Sequence, residues 1–252
     1  MRQILKGLAG IALLLTGACL SPGSAAACNA AQQDEIKALV KDYLVNNPAV
    51  LMEALQVVEK EEARLKELRR MEITDGIKNN PNAIFTGDKD ADVVFVEFFD
   101  YNCGYCRKTF EDIKTLANED KKVRFIMKDF PILGPQSLEA SRVSLAVRMQ
   151  ADDRKLFDFH TKMMESNNLA DGASAREIAK ELGLDMARLE ADFAKPELTA
   201  AIDESRELGR TLGLGGTPAF LIQGELIPGA IGIDAMKSLI ANVRKCGKAS
   251  CR

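Results

Sequence analysis

The sequence predicts an α/β fold, in which a small sheet carries a long helical insertion and is preceded by a helical N-terminal segment. Three observations carry this expectation. Val93 to Phe99 and Val123 to Met127 are apolar runs without alternation, the pattern of central strands covered on both faces. From Gln136 to about Gly213 the only periodic signal is helical. Ahead of the first strand, residues 32 to 68 also repeat their aliphatic positions at helical spacing.

Taken in order, residues 1–27 hold Arg2 and Lys6, an apolar stretch from Leu8 to Leu20, and an Ala-x-Ala ending at Ala27. This is the layout of a cleaved secretory signal peptide, too short and wrongly flanked for a membrane span. The mature chain then begins at Cys28. A lipoprotein start at Cys19 is the other reading, although Thr16 stands where an aliphatic residue is usual. Ile36, Leu39, Val40, Tyr43 and Leu44 mark one helix. Asn47-Pro48 ends it and starts another, with Asn as N-cap and Pro at the first helical position. The second helix carries Leu51, Leu55, Val58, Leu65 and Leu68, and Glu62 on its seam argues against a long coiled coil. A strip of exposed aliphatics over residues 36–58 needs a partner, either other copies of the chain or the domain that follows. Self-association is the favoured choice, so residues 28–78 read as a helical oligomerisation segment.

The turn from Lys78 to Asn82 opens a second domain, residues 79–252, with its helical insertion at about 136–213. After the first strand, Asp100-Tyr101-Asn102 leads into a helix over Cys106 to Leu116. In the insertion, Ser174 with Glu177 spells a capping box, Asp185 an N-cap, and Gly183 and Gly213 helix ends. Ala219 to Gln223 and Leu226-Ile227 form strands turned at Gly224, and Ile233 to Arg244 is a closing amphipathic helix.

Cys103-Gly104-Tyr105-Cys106 falls at the strand-to-helix junction. Two thiols so spaced at a helix start make a dithiol redox centre, because the partial positive charge and free N–H groups there stabilise a thiolate. Cys103 is then the nucleophile, and Cys106, one turn in, resolves the mixed disulfide. A structural disulfide or half a zinc site are the alternatives. Zinc usually takes four Cys or His ligands, and the chain has one histidine, His160, and no second Cys-x2-Cys. Hence no metal ligand set and no cofactor are expected. His160 reads as a helix-surface or insertion-packing residue, and Met163 and Met164 as core rather than copper ligands.

Export to an oxidising compartment makes Cys246 and Cys251 a local structural disulfide, with a second redox or metal pair as the rival. Cys28 is the odd thiol. Removing the two cations of residues 1–27 takes the formal charge from −3 to −5, and no basic tract suggests nucleic acid. Glu97 is a carboxylate inside an apolar strand, which is costly unless it stays neutral or lies at the strand's exposed end.

The element order, Phe98-Phe99-Asp100-Tyr101-Asn102 before the dithiol, and the later Gly215-Gly216-Thr217-Pro218-Ala219-Phe220 resemble the DsbA-like branch of the thioredoxin superfamily. With the helical segment included, the chain is most similar to disulfide isomerases of the suppressor of copper sensitivity protein C (ScsC) type, some of which are trimers. The resemblance implies a thioredoxin fold, a periplasmic location and a homo-oligomer, with a trimer favoured. It also implies a cis Thr217-Pro218 loop that, with Gly104 and Tyr105, binds substrate. Glu97 becomes a proton shuttle for Cys106, and Lys128 its charge partner. Thr before the proline and Cys-Gly-Tyr-Cys are isomerase-like, whereas oxidases of this branch commonly carry Val there. The partners implied are disulfide-containing exported proteins and a membrane thiol electron donor of DsbD type. A DsbA-type dithiol oxidase and a Cu(I)-sequestering copper-tolerance protein are the competing functions.

Overall fold

The computed structural model describes residues 29–251. The expected signal peptide, Cys19 and Cys28 lie outside the described residues. The chain divides into two compact units, the first ending at Val58 and the second beginning at Glu59.

The first unit contains α1 (Ala30–Asn46) and the start of α2 (Pro48–Ile77). Asn29 caps α1 through a reciprocal pair: its side chain accepts from Gln32 N and the Gln32 side chain accepts from Asn29 N. At the other end the Asn47 amide donates to Tyr43 O at 2.8 Å, and Pro48 starts α2 at the break read from sequence. No residue of α1 is buried, and Leu39 is 68% exposed. Ile36, Val40, Leu44 and Leu51 line an open groove of about 500 Å³ within this unit.

In the second unit α2 buries Thr74 and Ile77. Its packing against the turn at Gly224 requires glycine: φ is +75°, and a Cβ there would lie 2.7 Å from Met71 Cγ and 3.1 Å from Glu67 O. The sheet comprises β1 (Ile84–Thr86), β2 (Val93–Phe99), β3 (Val123–Asp129), β4 (Ala219–Ile222) and β5 (Glu225–Pro228). Their order is β1-β3-β2-β4-β5, with β2 and β3 parallel and every other pairing antiparallel. β1 has three residues, too few to show a period in the sequence.

Alternation along β2 divides the core. Phe95 and Phe99 face one cluster with Phe125, Met127 and Phe220, while Val96 and Phe98 face another with Ile126, Phe130, Leu212 and Leu221. α3 (Gly104–Glu119) and α9 (Ile233–Cys246) pack on the first side. Arg244 ties them down by pairing with Asp92 at 2.9 Å and Asp120 at 2.6 Å.

The insertion is α4 (Pro135–Arg148), α5 (Asp153–Glu165), α6 (Gly172–Glu181), α7 (Met186–Phe193) and α8 (Pro196–Leu212). Met163 and Met164 lie in the core. Asp185 caps α7, and α8 ends at Gly213 in the left-handed conformation, both as read from sequence. The capping box of α6 is displaced. Asp171 is the N-cap, accepting from Ser174 N, and Ser174 is the third helical residue whose hydroxyl accepts from Asp171 N. The helix thus starts one turn before the Ser174–Glu177 pair, because Asp171 supplies a cap first.

Candidate active site

Phe99 is the last residue of β2, and four residues later Cys103 is the N-cap of α3. Its Sγ accepts from Cys106 N at 3.4 Å. Cys103 is 6% exposed and Cys106 fully buried, and neither is in a disulfide. The Cys103 thiol is lowered to about 6 by a hydrogen bond from the Cys106 thiol, opposed by burial, and helped by Thr217 and by the Cys106 and Tyr105 N–H groups. Cys106 is pushed far up by burial, by its hydrogen bond to Cys103 and by the nearby Glu97. One thiol is therefore poised as thiolate while its neighbour holds its proton.

Glu97 lies two residues before the end of β2, opposite Met127 on β3 and Phe220 on β4, and is fully buried. Its carboxyl oxygens have no hydrogen-bond partner among the described residues. Burial first, and then the Cys103 charge, push it up to about 8, so at neutral pH it is mostly protonated. The exposed-strand-end alternative for Glu97 does not hold.

Lys128 is not its partner. It sits opposite Phe98, one residue out of register with Glu97, so its side chain leaves the other face of the sheet. There it pairs with Glu204 of α8 at 3.6 Å, and Glu204 also accepts from the Asn80 amide at 3.0 Å. Burial lowers the Lys128 pKa.

Thr217-Pro218 is cis and leads into β4. In its protonated form the Cys103 thiol donates to the Thr217 carbonyl at 3.2 Å, a bond lost on ionisation, whereas the Thr217 side chain favours the thiolate. Tyr105 is 69% exposed, and the space beside Gly104, Gly215 and Gly216 is open for at least 4 Å where a Cβ would sit. The structure thus brings Cys103, Cys106, Glu97, Gly104, Tyr105, Thr217 and Pro218 to one end of the sheet and leaves Lys128 out. At the other end of the domain, Cys246 and Cys251 form a disulfide.

Several neighbours of the dithiol were not read from sequence. Asp100 Oδ2 accepts from Ile132 N and Leu133 N, and its Oδ1 accepts from Ser137 Oγ and Asn102 N. The Tyr101 hydroxyl lies 3.1 Å from Ser144 Oγ and 3.1 Å from His160 Nδ1. His160 is fully buried between Phe99 and Phe110, and that burial lowers it to about 3, a neutral packing residue of the insertion. Asp129, beside Ser141, is pushed up to about 7 by burial.

Comparison with known proteins agrees with this geometry. Residues 94–241 match the DSBA-like thioredoxin domain, more than half of the chain. The chain belongs to the DSBA-like thioredoxin family. A second match, over residues 32–64, is to the copper resistance protein ScsC N-terminal domain. Among solved structures, a thioredoxin-like oxidoreductase from Silicibacter pomeroyi is 38% identical with a TM-score of 0.63, covering 68% of this chain and 98% of that one. ScsC from Proteus mirabilis in a transitional conformation is 29% identical with a TM-score of 0.60, covering 83% and 95%. A putative protein-disulfide oxidoreductase of Rickettsia prowazekii is 22% identical over 76% of this chain and 72% of its own. The DSBA-like chain also matches sodium/proton antiporters NhaA, such as one from Salinispora tropica at 21% identity, but spans only 24% of that protein's length. Among the described residues no helix is long and apolar enough to cross a membrane.

Proposed function

We propose that this protein is a periplasmic thiol-disulfide oxidoreductase that acts on disulfide-containing exported proteins, as an isomerase or reductase. One observation carries the reading: Cys103 caps the start of α3 and is readily ionised, while Cys106 three residues on is fully enclosed and holds its proton. The Cys103 thiolate attacks one sulfur of a substrate disulfide, forming a mixed disulfide and releasing the other substrate sulfur as a thiolate. The chain then has two outcomes. A substrate thiolate can displace Cys103, which rearranges the substrate with no net electron transfer. Otherwise Cys106 passes its proton to Glu97 in its ionised form, which becomes easier to reach once the mixed disulfide has removed the Cys103 charge, and attacks Cys103 Sγ. That second route leaves Cys103–Cys106 oxidised and the substrate reduced by two electrons, so a membrane thiol donor of DsbD type must restore the dithiol. The Thr217 backbone, next to Cys103, offers an extended substrate chain a strand-like edge.

Isomerase character is supported by Thr217 before Pro218, by Cys-Gly-Tyr-Cys, and by the exposed apolar face of the first unit within the ScsC N-terminal match. That face suits a homo-oligomer, a trimer by resemblance, in which several dithiols share one assembly. A Cu(I)-holding role on the same pair needs both sulfurs as thiolates, and the burial of Cys106 opposes the second. Trapping the thiol state of Cys103 in the native cell, with a scrambled-ribonuclease assay on the pure protein, tests the proposal. A reduced Cys103 and efficient reshuffling support it; an oxidised Cys103 without reshuffling makes the protein a dithiol oxidase.

A further inference from the structure

Arg107 directly follows the buried Cys106, yet its guanidinium meets only backbone carbonyls. Nε donates to Tyr101 O at 2.9 Å, one terminal nitrogen to Ser166 O at 2.6 Å, and the other to Asn168 O at 3.0 Å. On the other side of the dithiol, the Asn102 side chain accepts from Ala170 N at 2.9 Å and donates to Ala170 O at 2.8 Å and Ser137 Oγ at 3.0 Å. Both residues therefore hold the linker between α5 and α6. A rigid guanidinium fork with several donors is well made for binding a loop's carbonyls in one geometry.

Between these two tethers stands Leu169, 57% exposed. Outside α2, the other large apolar side chains exposed in the second unit are Tyr105, Ile132, Leu133 and Met149. Tyr105 lies inside the dithiol sequence, and the N–H groups of Ile132 and Leu133 are bonded to Asp100, so all but Met149 are attached to the active-site loop. Exposed apolar side chains held on rigid backbone at one end of a molecule suit an apolar partner.

We infer that Arg107 and Asn102 are positioning residues that hold the 166–170 linker at a set distance from Cys103, and that Leu169 selects substrate segments with an apolar residue beside the reacting cysteine. This rests on the proposed function, since it assigns part of the surface on which that substrate lies. The substrate class is an extended polypeptide whose disulfide cysteine is flanked by aliphatic or aromatic side chains, as in an incompletely folded protein.

The test compares two synthetic peptides, each closed by one disulfide, with leucine or serine beside the reactive cysteine, and oxidised glutathione as a small disulfide. Full-length mature protein, Leu169→Ser, Arg107→Met and Arg107→Lys are assayed in the reduced form. For the wild type the leucine peptide should have a KM about tenfold lower than the serine peptide. Leu169→Ser should abolish that preference by raising the leucine-peptide KM with little change in kcat. Arg107→Met should do the same while the Cys103 thiolate titration stays near 6, and Arg107→Lys should recover part of the preference. A wild type that does not discriminate between the peptides, or a Leu169→Ser protein that discriminates as well as wild type, would overturn the inference. So would an Arg107→Met protein whose reactions with peptide and glutathione fall together. A wild type that reduces none of the three disulfides overturns the functional reading itself, and this inference with it.

Discussion

Replacing Glu97 by glutamine should stabilise the reduced protein while impairing its chemistry, and the size of the stabilisation should depend on pH. In the unfolded chain the carboxyl ionises near 4.5, whereas in the folded protein burial holds the proton up to about 8. A folded-state pKa raised in a carboxylic acid means that ionisation favours the unfolded chain. Below pH 4.5 both states are protonated and the penalty is absent; it grows as pH rises to about 8 and is constant above that. Each pH unit in this window is worth about 1.36 kcal/mol, so at pH 7 the cost is roughly 3 kcal/mol and at pH 5 under about 1 kcal/mol. Glutamine has the same shape and no charge in either state, so it removes this cost. For a chain of this length the gain at pH 7 corresponds to roughly 6–12 °C in melting temperature.

The assay is urea or thermal unfolding of the reduced protein and of Glu97→Gln at pH 5, 7 and 8.5. The stability gap between them should widen with pH and level off. A constant gap would mean that Glu97 is not held neutral by burial, and a gap that narrows would mean that a partner stabilises its charge. In the same variant, resolution of the mixed disulfide should slow by about a hundredfold, the usual scale for losing a general base, with little change in its formation. Stopped-flow rates for the two steps separate this from a general structural fault, which would slow both.

Cys103→Ser should abolish activity, whereas Cys106→Ala should accumulate mixed disulfides with a substrate protein on non-reducing gels; trapping by Cys103→Ser instead would reverse the two roles. Alkylation of Cys103 should rise with pH through about 6 and be level above it, because the reactive form is the thiolate. A rate that keeps climbing towards the roughly 8.5 of a free thiol would show that α3 and the Cys106 thiol do not activate it. Deleting the first unit through Val58, while keeping the rest of α2 because Thr74 and Ile77 are buried, should yield a soluble monomer with intact dithiol chemistry and little reshuffling of scrambled ribonuclease. Sedimentation equilibrium and the reshuffling assay decide it, and a truncated protein that reshuffles as well as the full chain would remove the case for an oligomeric isomerase.

What could be read from the sequence divides by how far along the chain the signal reaches. The dithiol, the helix that follows it, and Glu97 as a lone carboxylate in an apolar run are local features, and each fell where expected. The Lys128 assignment failed on register. The resemblance implied Lys128, near the end of the neighbouring strand, as the charge partner of Glu97. Parallel pairing sets Met127 opposite Glu97, however, and a shift of one residue sends a side chain to the opposite face. Lys128 therefore meets Glu204 on α8, 76 positions later, a contact that no strand pattern encodes. The same reach hides the Tyr101–Ser144 and Tyr101–His160 contacts, 43 and 59 positions apart, and Arg107's hold on Ser166. In the sequence Arg107 is one more basic residue on a helix surface. Its role depends on where the insertion returns, and an insertion's loops are placed by the packing of five helices rather than by any period in their own residues. The chemistry of the dithiol is thus written locally, and the surface that would choose its substrates is assembled from distant segments. Variation in the 166–170 linker should for that reason alter substrate choice without altering the thiolate, while changes at Glu97 alter the proton transfer wherever the linker lies.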